Sequence, residues 1–216
     1  MKQYIVIGCG RFGISVATTM NLLGHQVMAI DKNEEIIQNI ADKVTHAAIV
    51  DVADENALRS IGLGNFDTAI IAIGSDIRAS IMATLIAKEM GVSQIVCKAK
   101  DELQAKVLYK IGADRVVFPE RDMGVRVAHS LVSDNILDHI ELDPEYSIVE
   151  IVTPNSWIGK TLIDLDLRAK YEISVLAIKC GKSINVTPSP NEELKVGSIL
   201  VVIGQSSSIS KITDNN

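Results

Sequence analysis

The hydrophobic and polar positions of the chain follow two rhythms. Through residue 118, short apolar runs alternate with segments of helical spacing. The runs are "QYIVIG" (3–8), "HQVMAID" (25–31), "THAAIV" (45–50), "FDTAIIAIG" (66–74), "SQIVCKA" (93–99) and "ADRVVF" (113–118). Their length and near-continuous apolar character fit strands covered on both faces. Between them, residues 11–23 place Phe12, Val16, Met20 and Leu23 on one helical side, and Gly24 closes that helix. Asn33 is the expected N-cap of the second helix and Asp54 of a short third one over 55–61. Ser75 or Asp76 caps a helix over 76–90 closed by Gly91, and a fifth runs to Lys110 and ends at Gly112. Strands separated by helices in this way predict an α/β fold, a Rossmann-like doubly wound parallel sheet. Right-handed crossovers give the strand order 3-2-1-4-5-6.

The rhythm changes after Pro119. "ERDMGVRVAHSLVSDNILDHI" predicts one helix, with Val125, Ala128, His129 and Val132 on one side. "DPEY" (143–146) predicts a turn. From residue 147 the pattern is strand-rich: "SIVEIV", a short helix near 160–166, "ISVLAIK", "SINV" and "SILVVIG". The expected organisation is a nucleotide-binding domain over 1–118, a crossover helix and linker over 119–138, and a small α+β C-terminal domain over 139–216. A module that small is short of core, and dimerisation is the expected remedy. The polar tail "QSSSISKITDNN" is expected to form a short helix and then fray.

Composition narrows the function classes. Of 216 residues, 47% are hydrophobic and 22% charged, an ordinary globular balance. The net charge of −6 offers no basic face for nucleic acid. The first residues run straight into a strand and a glycine turn, so no export signal is expected. No apolar run nears the ~18 residues that span a bilayer. A cytoplasmic location is expected, with any membrane role arising through a partner. Cys9, Cys97 and Cys180 are scattered, without metal spacing; Cys97 and Cys180 are read as small buried side chains, and Cys9, between two glycines near the ligand, as contributing backbone.

The candidate chemistry begins at "GCGRFG", residues 8–13. GxGxxG alone is a weak signal, but here it follows a strand, opens a helix and precedes an acidic strand end at Asp31. Gly8 permits the tight turn, Gly10 the approach of a pyrophosphate, and Gly13 the close packing of helix on sheet. Helix amides then face phosphates, and Asp31 faces ribose hydroxyls. Asp31 also repels a 2′-phosphate, which disfavours NADP and leaves NAD, ATP and ADP. Arg11 adds a fork of donors where backbone amides already serve two phosphates. It opposes the helix dipole there, so an anionic partner is indicated; a solvated or interface arginine is the plainer reading. Asp51, Ile73, Gly74, Ser75, Lys98, Lys100 and Glu120 follow other strand ends, where ligands bind in this fold. Lys98 suits a phosphate, and Glu120 suits a hydroxyl or a divalent ion bound to phosphates. Each is equally a charge of the kind that surfaces carry.

Catalytic machinery is not evident. His25, His46, His129 and His139 stand in no catalytic motif, and HExxH and GxxxxGK[ST] are absent. A nucleotide domain without chemistry suggests a sensor, in which binding drives a change of shape or assembly. The alternative is an NAD-dependent oxidoreductase or an NADH-binding redox sensor. A DNA-binding redox repressor is disfavoured by the acidic balance.

Together, "GCGRFG", "AID", "THAAIVDVADENAL", "NFDTAIIAIGSDIRAS", "KIGADRVVFPERDMG" and "LDLRAKYEISVLAIK" resemble the cytoplasmic regulatory subunits of bacterial Ktr/Trk potassium uptake systems, most closely the Ktr type. These carry N- and C-terminal RCK (regulator of conductance of potassium) domains, and the resemblance covers nearly the full chain. It implies an octameric gating ring of dimers, docked under a separate membrane-embedded potassium-translocating subunit. ATP would activate and ADP inactivate, with Arg11 reaching the γ-phosphate held by a neighbouring subunit. The nucleotide site it implies comprises Gly8, Gly10, Arg11, Phe12, Gly13, Asp31, Lys32, Asn33, Asp51, Val52, Ile73, Gly74, Ser75, Lys98, Ala99, Lys100, Gln104 and Glu120. In it, Asp31 meets ribose, Asp51 and Val52 flank adenine, and Glu120 helps hold a divalent cation. Gln104 stands where the family often has histidine, and Arg78 where it commonly has glutamine. The resemblance also implies a cyclic di-AMP site at Ile163, Asp166, Leu167, Arg168, Ser174, Val175, Pro188 and Pro190, with Arg168 as phosphate partner and Ser174 in place of a common asparagine. Without the resemblance, Arg168 reads as a surface or dimer-interface arginine and the apolar members as core.

Overall fold

A computed structural model describes residues 2–132 and 136–213, apart from the side chains of His129, Val132 and Thr213. Two compact units divide the chain, residues 1–120 and 121–216.

The first unit alternates β1 (Gln3–Ile7), α1 (Arg11–Leu22), β2 (Gln26–Asp31), α2 (Glu34–Ile40), β3 (His46–Ile49), α3 (Glu55–Ser60), β4 (Thr68–Ile71), α4 (Ile77–Glu89), β5 (Gln94–Lys98), α5 (Glu102–Lys110) and β6 (Arg115–Val117). Its sheet has the order β3-β2-β1-β4-β5-β6, and every pairing is parallel. The predicted order is therefore the observed one. Strand alternation builds a core on each face. Ile5 and Ile7 pack with Ile30, Leu58, Ile71 and Ile86 on one side. Val6 packs with Val27, Ala29, Ile37 and Ile70 on the other. That is why β1 is apolar at consecutive positions.

The expected caps are in place. Asn33 accepts from the Ile36 N–H, Asp54 from Asn56 and Ala57, and Asp76, rather than Ser75, from Arg78 and Ala79. The face of α1 differs from the expected one. Gly13 and Ala17 are its buried residues. Phe12, Val16 and Met20 are partly buried, and Leu23 beyond the helix end is 71% exposed. Small residues at the contact let the helix backbone lie close to the sheet.

The second unit contains most of α6 (Pro119–Val132), then β7 (Ile136–Glu141), β8 (Tyr146–Val152), α7 (Leu162–Leu165), α8 (Leu167–Tyr171), β9 (Ile173–Cys180), β10 (Ser183–Asn185), β11 (Ile199–Gln205) and α9 (Ser206–Thr213). The antiparallel sheet runs β10-β9-β11-β8-β7. Its core joins Val149, Ile151, Leu200 and Val202 of the sheet to Trp157, Leu165 and Ile209. Asp143 forms the expected turn, its Oδ1 accepting from the Glu145 and Tyr146 N–H groups at 2.8 Å each.

Three expectations are corrected here. The long helix read through residue 140 ends at Val132, and residues 136–141 are strand β7. Val125 is 42% exposed rather than buried along an apolar side; the side chains of His129 and Val132, and residues 133–135, lie outside the described residues. Cys180, taken as buried, is exposed at the end of β9, whereas Cys9 and Cys97 are buried. The tail helix is present as α9, and the expected fraying falls on 214–216, also outside the described residues. Among the described residues, no helix is long and apolar enough to cross a membrane.

Candidate functional site

The strand order reverses between β1 and β4, the place where open α/β sheets bind ligands at their carboxyl ends. A cleft of about 410 Å³ lies at those ends. The glycine turn forms one wall. Gly8 has φ +95°, and its N–H donates to Ile30 O at 2.9 Å. A Cβ on Gly13 would stand 2.0 Å from Gly8 O, so the turn and α1 touch backbone to backbone. Around Gly10, by contrast, such a Cβ would meet nothing within 4 Å. Gly10 is also the N-cap of α1 and has no side chain to bond the helix's first amides. The positive end of α1 therefore opens where a phosphate would approach.

Asp31 ends β2 and braces the turn. Its Oδ2 accepts from the Cys9 N–H at 2.7 Å and its Oδ1 from the Asn33 N–H at 2.9 Å. Each carboxylate oxygen keeps a lone pair for a ribose hydroxyl. Replacing Asp31 with Ala is expected to orphan the part-buried Cys9 N–H and lower stability by about 1–3 kcal/mol, read as the urea midpoint of the full chain. Asp31→Asn, which keeps one acceptor, is expected to cost less.

The cleft brings together Gly8, Gly10, Asp31, Lys32, Asn33, Asp51, Val52, Ile73, Gly74 and Ser75 of the expected residues. It adds Ile36, Ala53, Ala72, Asp76 and Ala79, which the sequence reading did not place there. Asp76 was legible as a cap, but nothing marked its carboxylate as cleft lining. The other expected residues lie around the cleft rather than on its wall. Arg11 is exposed on the first turn of α1, Phe12 is half-buried and Gly13 is beneath the turn. Ala99 is 2% exposed, and Lys100 is exposed. Gln104 is buried, its Oε1 accepting from the Lys100 N–H at 3.0 Å, so its side chain holds the loop after β5. Lys98 Nζ would lie 3.4 Å from a Cβ on Gly74, and it donates to Glu120 Oε1.

The cleft carries charges of both signs, Lys32 among them. Asp31, Asp51 and Asp76 line the cleft, while Arg11 and Lys98 lie by the turn and beyond Gly74. A nucleoside's hydroxyl and amine donors suit the carboxylates, and phosphates suit the cations. The Glu120 carboxyl is held below the usual range, by the hydrogen bond from Lys98 first and by the charge of Arg11 among the smaller causes. The Cys9 thiol is pushed up to about 12 by burial and then by Asp31, so it is no nucleophile at neutral pH. Among the described residues, no group of three or more His, Cys, Asp and Glu is arranged to hold a metal ion.

A second concavity, of about 270 Å³, lies in the other unit. Ile163, Asp166, Leu167, Arg168, Ser174, Val175, Pro188 and Pro190 all line it, together with Leu162 and Ile173. Asp166 joins α7 to α8 with φ +45°, a conformation costly for a non-glycine residue. The Ile163 N–H donates to Pro190 O at 2.9 Å and ties the two rims.

Comparison with known proteins covers both units. Residues 4–119 match the TrkA-N domain and residues 147–215 the TrkA-C domain. The chain is 49% identical to the Ktr system potassium uptake protein C of Bacillus subtilis, over 97% of this chain and 95% of that protein. It is 43% identical to the Ktr system potassium uptake protein A of the same organism, with the same coverage. Among solved structures, the GsuK channel matches with a TM-score of 0.71 at 17% identity, over 98% of this chain and 38% of that one. That likeness bears on the fold.

Proposed function

Because the chain belongs to the family of Ktr potassium uptake proteins built from TrkA-N and TrkA-C domains, we propose that it is the regulatory subunit of a bacterial potassium uptake system, gating a separate membrane-embedded potassium-translocating subunit according to the nucleotide it holds. The observation that carries the nucleotide reading is the cleft. A glycine turn and an open helix end share one cleft with the carboxylates Asp31 and Asp51, and the Lys98 ammonium lies against Gly74.

In this reading the adenosine lies against Asp31, Asp51 and Val52, and the phosphates lie over Gly8, Gly10 and the first amides of α1. ATP favours the active state and ADP the inactive one, through contacts that only a third phosphate makes. Arg11 supplies that contact to the nucleotide of a neighbouring copy. Dimers associate into an octameric ring on the cytoplasmic face of the membrane, held there by the partner subunit. Glu120 helps a divalent cation meet the phosphates. Residues 1–118 form the sensing domain, 119–138 the crossover and 139–216 the dimerising domain. In the last, the concavity beside Arg168 is the seat of an inhibitory cyclic di-AMP, its phosphate paired with that guanidinium.

The test is equilibrium binding of ATP, ADP and NADH to the purified chain, with particle mass followed by light scattering. ATP and ADP are expected to bind, with assemblies that differ in mass or shape. NADH binding tenfold tighter than either, with no difference between ATP and ADP, would hand the site to an NADH-binding redox sensor or an NAD-dependent oxidoreductase.

A further inference from the structure

Another concavity of the second unit, of about 520 Å³, shares no lining residue with the cleft or with the concavity beside Arg168. Its walls are held in place. After a short turn over Asn155–Trp157, the Gly159 N–H donates to Leu194 O and Lys160 O accepts from the Leu194 N–H, each at 2.9 Å. Lys170 and Tyr171 end α8, which stops at Glu172 with φ +57°. The rings of Trp157 and Tyr171 meet with centroids 6.0 Å apart. The polar lining is rich in donors that the protein leaves unused. Among the described residues, Lys160 and Lys170 have no ion-pair partner, and the hydroxyls of Ser156 and Tyr171 make no hydrogen bond. Trp157 is 6% exposed, and its indole N–H has no partner there either, although a buried indole ordinarily finds one. That nitrogen is not among the fully enclosed orphan atoms, so it keeps an opening, and Trp157 lines this concavity. The one carboxylate of the lining is Asp164. Its Oδ2 accepts from the Thr161 N–H at 3.1 Å and the Thr161 O–H at 2.5 Å, which leaves Oδ1. Its carboxyl is held below the usual range, by Thr161 first and by the charge of Lys160 among the smaller causes.

Five donor groups without protein partners, two of them cationic, call for an anion rich in acceptor oxygens. A lysine ammonium is a point charge suited to phosphate, and a terminal phosphate has oxygens enough for two of them. Asp164 Oδ1 repels a bare polyanion but accepts from a hydroxyl. The rings and Leu165 face a carbon body, as ligand sites usually do. We propose that this concavity binds a hydroxylated phosphomonoester, a sugar phosphate or a nucleoside monophosphate, with its phosphate on Lys160 and Lys170 and a hydroxyl on Asp164. The second unit then has a ligand class of its own. None of the residues involved belongs to the nucleotide cleft of the first unit, so this site stands or falls separately from it.

Trp157 is the only tryptophan of the chain, so its fluorescence reports this concavity. The experiment titrates the full chain with ribose 5-phosphate, AMP, ribose and inorganic phosphate at constant ionic strength. A saturable change is expected with ribose 5-phosphate or AMP, at concentrations roughly tenfold below those of inorganic phosphate, and none with ribose. AMP the tighter of the two assigns the site to nucleoside monophosphates, and ribose 5-phosphate equal or tighter assigns it to sugar phosphates. Lys160→Met and Lys170→Met should each weaken binding of the ester roughly 10-fold. Both lysines are exposed, so melting temperatures should hold, and ATP binding measured by calorimetry should stay as in wild type. Silence from both esters overturns the proposal. So does an equal response to potassium sulfate, since the effect would then be ionic strength alone. Lysine variants that bind the esters as wild type does also overturn it, because the signal would then come from the first unit. Inorganic phosphate as tight as either ester removes the hydroxylated body and overturns the ligand class.

Discussion

Gly13→Ala is expected to destabilise the first unit by about 3 kcal/mol, at the upper end of what one inserted methyl costs in a packed site, and to abolish nucleotide binding. The added carbon would stand 2.0 Å from Gly8 O and 3.2 Å from the Ala72 side chain. The first neighbour is a backbone carbonyl and cannot swing aside. Gly8 is itself fixed, since its φ of +95° suits glycine and its flank lies against Ile73 and Ala72. Relief must come from moving α1 away from β1 and β4, which unpacks Ala17 and shifts the helix amides off the cleft. Gly10→Ala is the control. It adds the same methyl at φ −69°, where nothing lies within 4 Å. Its stability should change by less than about 1 kcal/mol, while phosphate binding suffers because the methyl occupies the open approach. Urea unfolding of the full chains, with ATP binding measured beside it, separates the two. A Gly13→Ala protein as stable as wild type would mean that the turn yields more easily than its backbone contact implies.

The glycine turn and the sheet order were legible because local and global signals agree there: apolar strands, acidic caps and closing glycines all repeat in register. The long helix was misread for an identifiable reason. Pairing of β7 with β8 shifts register between Ile136 and Asp138, and a bulge of this kind breaks strict alternation. Ile136 and His139 are buried while Leu137 and Ile140 are exposed, so the buried positions are three apart, as in a helix. Cys180 failed differently: an apolar strand continued past the core to the β9–β10 turn, and burial stopped before the pattern did. Of the cleft, the residues at strand ends were readable. Ile36 and Ala79 were not, because a helical residue that lines a ligand cleft has the same apolar signature as one that lines a core. The positions inferred by resemblance in the second unit converge on one concavity, though they come from two helices, a strand and a loop and no spacing links them.

Replacing Arg11 with Ala is expected to erase the preference between three phosphates and two. The amides at the start of α1 are backbone and serve any pyrophosphate alike, so they cannot tell ATP from ADP. A discriminating group must touch the third phosphate alone. Arg11 is exposed, at the positive end of a helix that has no acidic residue in its first turn. That placement opposes the helix dipole, and a phosphate would offset it more closely than the nearby charge of Glu120 does. A hydrogen bond to a charged group contributes about 1.5–3 kcal/mol, so ATP affinity should fall roughly 10- to 100-fold while ADP affinity stays within about twofold. The difference in assembly between the two nucleotides should vanish with it, since a ligand shifts an equilibrium only by its differential contacts. Arg11→Lys keeps the charge and loses the planar fork, and should fall between the two. The melting temperature without nucleotide should hardly change, because the side chain is exposed. The measurement is titration calorimetry with each nucleotide on wild type and both variants. An unchanged ATP to ADP ratio in Arg11→Ala would move the reading of the third phosphate to Lys98, the cation that lies against Gly74 of the cleft. In that case the ratio should instead collapse in Lys98→Met.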